Sequence, residues 1–186
     1  MDQRTLVERA RQGDREAFAT LVRASATRLD AAARLILRDR ELARDAVQEA
    51  LIRAWRDLPG LRDPERFEAW LHRLLAHAAI DEARRRRRRV IEVAVHNTEI
   101  PSATDLAALF ADRDAIDRAL AALAPEQRAL VVLHHYLGMP IPEAAAAMGI
   151  TLGAAKARLH RSLASLRNTF AADREEPSVR ATGGPA

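Results

Sequence analysis

Residues 149–163 read GITLGAAKARLHRSL, and at a helical period they split into two unlike stripes. Ala155, Leu159, Ser162 and Leu166 share one line and can dock on a core, because residues three and four apart share a helix face. Ala157, His160, Arg161 and Ala164 form the opposite line, flanked by Lys156 and Arg158, so that face is small and basic. Upstream, Pro142 opens the alanine-rich run PEAAAAM, Gly149 turns the chain, and Thr151 stands where it can cap the next helix. Helix, tight glycine turn, helix is the layout of a helix-turn-helix, and Ala144, Ala145 and Ala147 are small enough for the second helix to cross closely. A basic helix front fits the DNA major groove, which is about 12 Å wide. Two readings stand here: a helix that reads duplex DNA, or an alanine-rich hairpin with a solvated basic face.

Composition narrows the partner. The 186 residues include 30 basic ones, 29 Arg and one Lys, and the isoelectric point near 10.7 points to a polyanion. Zero cysteines exclude disulfides, thiolate zinc sites and cysteine nucleophiles together. No run approaches the roughly 18 apolar residues that span a bilayer, and the start MDQRTLVERARQGD lacks the apolar core of a signal peptide. The expectation is a cytoplasmic protein without membrane insertion. His134, His135 and His160 are the nearest approach to a metal centre, but adjacent helical residues point about 100° apart and no HExxH motif accompanies them. Nor is there a glycine-rich phosphate loop. No metal, no cofactor and no enzymatic activity are expected.

Charge gives the organisation. Residues 1–89 hold 21 Arg against 15 acids, residues 113–186 hold 9 basic against 7 acidic residues, and residues 90–112 hold four acids and no base. That middle strip, with Pro101 and several β-branched residues, reads as a flexible linker, and residues 173–186 read as a disordered tail. Both flanking modules read as helical. Asp14 can cap a long helix to about Arg38, with Phe18, Leu21, Val22, Leu29, Leu35 and Ile36 spaced for burial. A third helix runs from about Arg40 to Leu58. Asp63 and Pro64 open a fourth that reaches the arginine run 84–89. Pro125 opens PEQRALVVLHHYL in the second module, and Gly138 closes it. Strand signals are almost absent. The predicted fold is all-α: an N-terminal helical bundle (1–89) and a C-terminal helix-turn-helix domain (113–172), joined by an acidic linker (90–112).

Two further features call for partners. If Val47, Ala50, Leu51, Ala54 and Leu58 face the core, the third helix exposes Asp45, Gln48, Glu49, Ile52 and Arg56. An apolar residue among acids is either a plain surface or a docking face for a basic protein. On the fourth helix Phe67, Trp70, Leu71, Leu74 and Ala78 define the buried stripe and leave Arg73, His77 and Arg84 on a flank. The six consecutive arginines 84–89 are either a solvated arm or a phosphate clamp.

The segments GDREAFATLV, DAVQEALIRAW, FEAWLHRLLAHAAIDEARRRRRR, ALAALAPEQRALVVLHHYLGMPIPEAAAAMGI and TLGAAKARLHRSLASLR occur in the order and near the spacing of bacterial sigma factors. The chain resembles the extracytoplasmic-function (ECF) group of the sigma-70-like family over roughly residues 5–170. The resemblance implies an initiation factor that binds core RNA polymerase, reads the minus-thirty-five promoter element with its second domain and melts the minus-ten element with its first. It places Asp45, Gln48, Glu49 and Ile52 on the clamp helices of the largest polymerase subunit. The turn holding Arg62, Asp63 and Arg66 would receive a flipped minus-ten base, with Arg73, His77, Arg84, Arg85 and Arg88 along the non-template strand. Ala157, His160 and Arg161 would face minus-thirty-five bases, with Thr151, Lys156 and Arg158 completing that contact set. An anti-sigma factor is the further partner implied, and the acidic linker would mimic nucleic acid in the polymerase channel. His77 stands where the family often has Asn, and Ala157 where it often has Ser, so promoter sequence does not transfer. Two rivals remain: a sigma-like decoy that sequesters an anti-sigma factor, and a plain helix-turn-helix regulator, which leaves the first domain unemployed.

Overall fold

A computed structural model of the protein describes residues 2–94 and 111–175, and every regular element in them is helical. In chain order these are α1 (Gln3–Arg11), α2 (Arg15–Leu37), α3 (Arg40–Asp57), α4 (Phe67–Ala94), α5 (Ala111–Ala121), α6 (Pro125–Val131), α7 (Ile141–Ala147) and α8 (Leu152–Glu175). Aspartates start the first three. Asp2, Asp14 and Asp39 sit in extended backbone and accept first-turn N–H groups that have no helical partner, Asp14 those of Glu16 and Ala17 at 3.0 Å. Gly13, at φ +94°, turns the chain between α1 and α2. α2 ends on Arg38, a non-glycine residue at φ 53°, whose N–H reaches the Arg34 carbonyl at 2.8 Å.

The packing of α3 differs from the expectation. Its buried line is Ala43, Ala46, Ala50 and Ala54, each at most 2% exposed, and Leu58 closes it, while Val47 and Leu51 are only partly buried. Small residues let α3 lie close to α2 and α4, and this rotates the larger side chains to the edge of the contact. On α4 the buried line is Phe67, Leu71, Leu75 and Ala78, and Trp70 and Leu74 are edge residues. Phe18 and Leu35 of α2 are likewise only partly buried.

Asp63 and Pro64 open a single 3-10 turn, Pro64–Arg66, and the α-helix proper starts at Phe67. α4 then runs to Ala94, past the predicted boundary at Arg89, because Val90–Ala94 holds no glycine or proline to stop it. α5 starts at Ala111, still inside the predicted linker, so Glu92 and Asp112 belong to helices. The rest of that linker, with Glu99 and Asp105, lies outside the described residues, as does the tail beyond Glu175. α8 itself extends past the predicted start of the tail at residue 173.

In the second half Pro125 occupies the first helical position, and the Gln127 side chain accepts the Ala124 N–H at 3.0 Å. α6 passes into one π-helical turn over residues 132–136, and Gly138 ends it at φ +71°. Gly149, at φ +66°, turns α7 towards α8, and there the Ile150 N–H reaches the Ala145 carbonyl at 3.0 Å. A single apolar core runs through both halves: α6, the π-helical turn and α7 pack on α2 and α4. Leu29, Ile36, Phe67, Leu71, Leu130 and Leu133 are its largest buried side chains. Among the described residues no helix is long and apolar enough to cross a membrane.

Candidate nucleic-acid and protein interfaces

α8 presents the two stripes its sequence predicts. Ala155, Leu159 and Ser162 are buried against α6 and α7, while Lys156, Ala157, His160 and Arg161 are exposed and Arg158 is half-buried. Ser162 is a polar residue without solvent contact, and its Oγ donates to the Arg158 carbonyl at 2.9 Å. Thr151 caps the helix: its Oγ1 accepts the Ala154 N–H at 3.2 Å. That hydroxyl therefore positions α8. The front carries no acid before Asp173, so three cationic side chains, Lys156, Arg158 and Arg161, set its potential.

The turn between α3 and α4 and the first part of α4 form a second basic region. Arg62, Asp63, Arg66, Arg73, His77 and Arg84 are all exposed. Asp63 is occupied as a cap, accepting the Glu65 N–H at 3.0 Å. Arg62, Arg66, Trp70 and Arg73 line a cleft of about 640 Å³, whose far wall is Pro142, Glu143 and Ala146 of α7. Arg66 reaches across it to the Glu143 carboxylate at 3.1 Å. Of the aromatic pair Phe67 and Trp70, ring centroids 6.0 Å apart, Phe67 is core and Trp70 lines the cleft.

The arginine run is neither a free arm nor a uniform clamp. Arg85 and Arg89 both pair with Glu82, at 2.6 and 2.7 Å, and Arg86 reaches Asp39 at 3.4 Å. Arg84, Arg87 and Arg88 are exposed, with no carboxylate in ion-pair range among the described residues. Glu82 is 5% exposed, and nothing in its own position announced this. The Glu82–Arg85 spacing, three apart on a helix, was the one visible signal.

On α3, Asp45 and Gln48 are exposed and Ile52 is 52% exposed, as the sequence indicates. Glu49 is half-buried and held by Arg53 at 2.6 Å, so the face is less acidic than expected. Trp55, absent from the sequence reading of this face, stands edge-on to Phe18 with ring centroids 5.0 Å apart. Together with Val47, Leu51 and Ile52 these rings line an open apolar cleft of about 490 Å³, with Arg44 and Gln48 at its rim. The missed signal was spacing: Trp55 follows Ile52 by three and Leu51 by four.

Two buried titratable groups also escaped the sequence. Burial holds the His72 imidazole below its ordinary pKa, and the Arg28 charge adds to the effect. Burial likewise lowers Arg128 to about 10, with the Arg38 and Arg86 charges contributing. Its Nη1 donates to the Leu120 carbonyl at 3.3 Å and its Nε has no partner. His134 is half-buried, with Nδ1 2.8 Å from the Met139 carbonyl.

A helix-turn-helix with an acid-free front, packed on a bundle that carries a basic cleft and an open apolar groove, is the layout of a two-part DNA-binding protein. Comparison with known proteins makes this specific. Sigma-70 region 2 matches residues 21–89, and Sigma-70, region 4 matches residues 113–166. The chain is 36% identical over 144 residues to the RNA polymerase sigma-E factor of Streptomyces avermitilis, covering 76% of this chain and 79% of that one. It is 36% identical over 158 residues to the ECF RNA polymerase sigma factor SigM of Mycobacterium tuberculosis, covering 83% and 77%. Among solved structures it is similar to CnrH in complex with the cytosolic domain of CnrY, at 30% identity and TM-score 0.64 over 92% of this chain and 98% of that one. It is also similar to the sigma factor RpoE in complex with the anti-sigma factor NepR from Bartonella quintana, at 25% identity and TM-score 0.69 over 84% and 98%. The chain belongs to the ECF group of sigma-70 family RNA polymerase sigma factors.

Proposed function

We propose that this chain binds core RNA polymerase in the cytoplasm and directs initiation at promoters read by α8. The observation that carries the reading is the α8 front, where Lys156, Ala157, His160 and Arg161 are exposed with no acid among them and the opposite stripe is locked into the core. Ala157, His160 and Arg161 face minus-thirty-five base edges, and Lys156 and Arg158 face phosphates, which position the helix without carrying sequence information. Arg62, Arg66 and Arg73 with Trp70 take the melted minus-ten strand, since stacking surfaces beside cations suit unpaired bases. Arg84 and Arg88 extend that contact along α4, with His77 on its flank.

The polymerase contact is the apolar cleft of α3. Ile52 and Trp55 are exposed large apolar side chains beside Asp45 and Gln48, and an apolar patch with a polar rim suits a protein partner, here the clamp helices. An anti-sigma factor is the proposed inhibitory partner, as RpoE has in its complex with NepR. A sigma-like decoy would need a surface for that partner but no acid-free recognition front. Run-off transcription with purified core polymerase and a promoter library tests the reading: the chain confers specific starts, and a chain that binds polymerase but yields no specific start refutes it.

A further inference from the structure

Several arginines of α4 are paired, and those left unpaired include one that meets two more from α8. Arg85 and Arg89 pair with Glu82, and Arg86 with Asp39. Arg84 has no carboxylate in ion-pair range among the described residues, and neither have Arg158 and Arg161. These three line one cleft of about 500 Å³ between α4, α6 and α8. Glu126 is the acid in its wall, so positive charge is in excess there. Arg158 is half-buried, and a guanidinium partly withdrawn from water without a counter-ion favours an anion from outside. Arg128, next to Gln127 in the chain, is buried with its Nε unpartnered and adds to the positive potential.

The same cleft has an apolar side. Ile80 and Met148, both buried, and the half-buried Ile150 line it beside the arginines. Gln127, also in the wall, uses its Oε1 to accept the Ala124 N–H at 3.0 Å, which leaves its amide N–H groups to donate. A guanidinium matches a phosphate with two parallel N–H···O bonds, and an apolar wall suits a flat ring. The volume lies within the range of small-molecule sites, about 300–1,000 Å³.

We propose that this cleft binds a nucleoside diphosphate, with Arg84, Arg158 and Arg161 on the two phosphates and the base against Ile80, Met148 and Ile150. A single phosphate would leave part of the arginine cluster unmatched, and inorganic pyrophosphate would leave the apolar wall bare. Such a site needs no glycine-rich loop, because arginine side chains supply the donors that backbone N–H groups supply there. It stands whether or not α8 reads promoters; where α8 does, the nucleotide occupies Arg158 and Arg161 and excludes DNA from both.

Isothermal titration calorimetry of the full chain with ADP, AMP, inorganic pyrophosphate and adenosine at physiological ionic strength tests the assignment. ADP should saturate a single site about tenfold more tightly than AMP or pyrophosphate, and adenosine should not saturate it. Arg84→Gln and Arg161→Gln, on different helices of the cleft, should each weaken ADP about tenfold. Arg87→Gln, an exposed arginine of α4 outside the cleft, should not. Ile150→Ala should weaken ADP and leave pyrophosphate unchanged, and circular dichroism checks that each variant is folded. Equal weakening by Arg84→Gln and Arg87→Gln means diffuse charge attraction and overturns the proposal, as does equal affinity for ADP and pyrophosphate. Run-off transcription with core polymerase separates this site from the proposed function. Specific starts without ADP binding sink only the site, and ADP binding without specific starts sinks only the promoter reading.

Discussion

Arg161 and Lys156 differ by position on α8 more than by charge, and they should fail differently. Arg161 lies on the line of Ala157 and His160, so Arg161→Ala should cost about 1–3 kcal/mol and relax preference at one upstream base pair. Lys156→Ala should weaken all promoters alike and flatten the salt slope by about one. Holoenzyme binding to a set of single-base promoter variants across a salt series checks both. His72 makes a different kind of prediction. Its folded pKa is depressed by burial, so the folded state binds this proton less readily than the unfolded chain does. The stability it contributes is complete above the ordinary value of about 6.5 and is lost as pH falls from there towards the depressed value. Thermal midpoints should be level near pH 7.5 and decline below about pH 6.5, and His72→Phe should flatten that decline. An unchanged slope in the variant removes His72 as its source.

At the scale of the element, α3 shows how an alanine line creates an open apolar groove. Ala43, Ala46, Ala50 and Ala54 take the core contact, so Val47, Leu51 and Trp55 are left along an open cleft. Ile52→Glu places a charge on the apolar rim without entering the core, and with Glu49→Arg it should abolish capture of core polymerase while circular dichroism stays unchanged. Retained capture would take this face out of the interface. α4 is shaped by the opposite device, a buried acid: Glu82 gathers Arg85 and Arg89, while Arg84, Arg87 and Arg88 stay exposed with no carboxylate in ion-pair range among the described residues. A charge run on a helix is thus sorted by its own acids before any partner arrives.

At the scale of the whole molecule, α6, the π-helical turn and α7 share an apolar core with α2 and α4, and the two halves are expected to unfold together. Both tryptophans, Trp55 and Trp70, lie in the first half, whereas helical dichroism reports on both. Urea unfolding followed by the two probes should give coincident transitions, the signature of a cooperative two-state change. A dichroism transition that lags or precedes the fluorescence one would mean that α6 and α7 contribute little to the stability of the bundle.

The sequence alone determined what depends on neighbours within about one helical turn. Asp14, Asp63 and Thr151 cap where they stand because a cap needs only N–H groups two or three residues on. Gly138 and Gly149 turn because only their own φ is at issue, and the two stripes of α8 follow from its period. The fold class and the split of α8 into a buried and an exposed basic stripe were legible for that reason. Tertiary structure decided which stripe of α3 is buried, that Trp55 meets Phe18, that Glu82 is inside, and that Arg66 holds Glu143 across 77 residues. Each depends on how one helix is rotated against another, which is set by the summed packing of many small contacts and not by any local pattern.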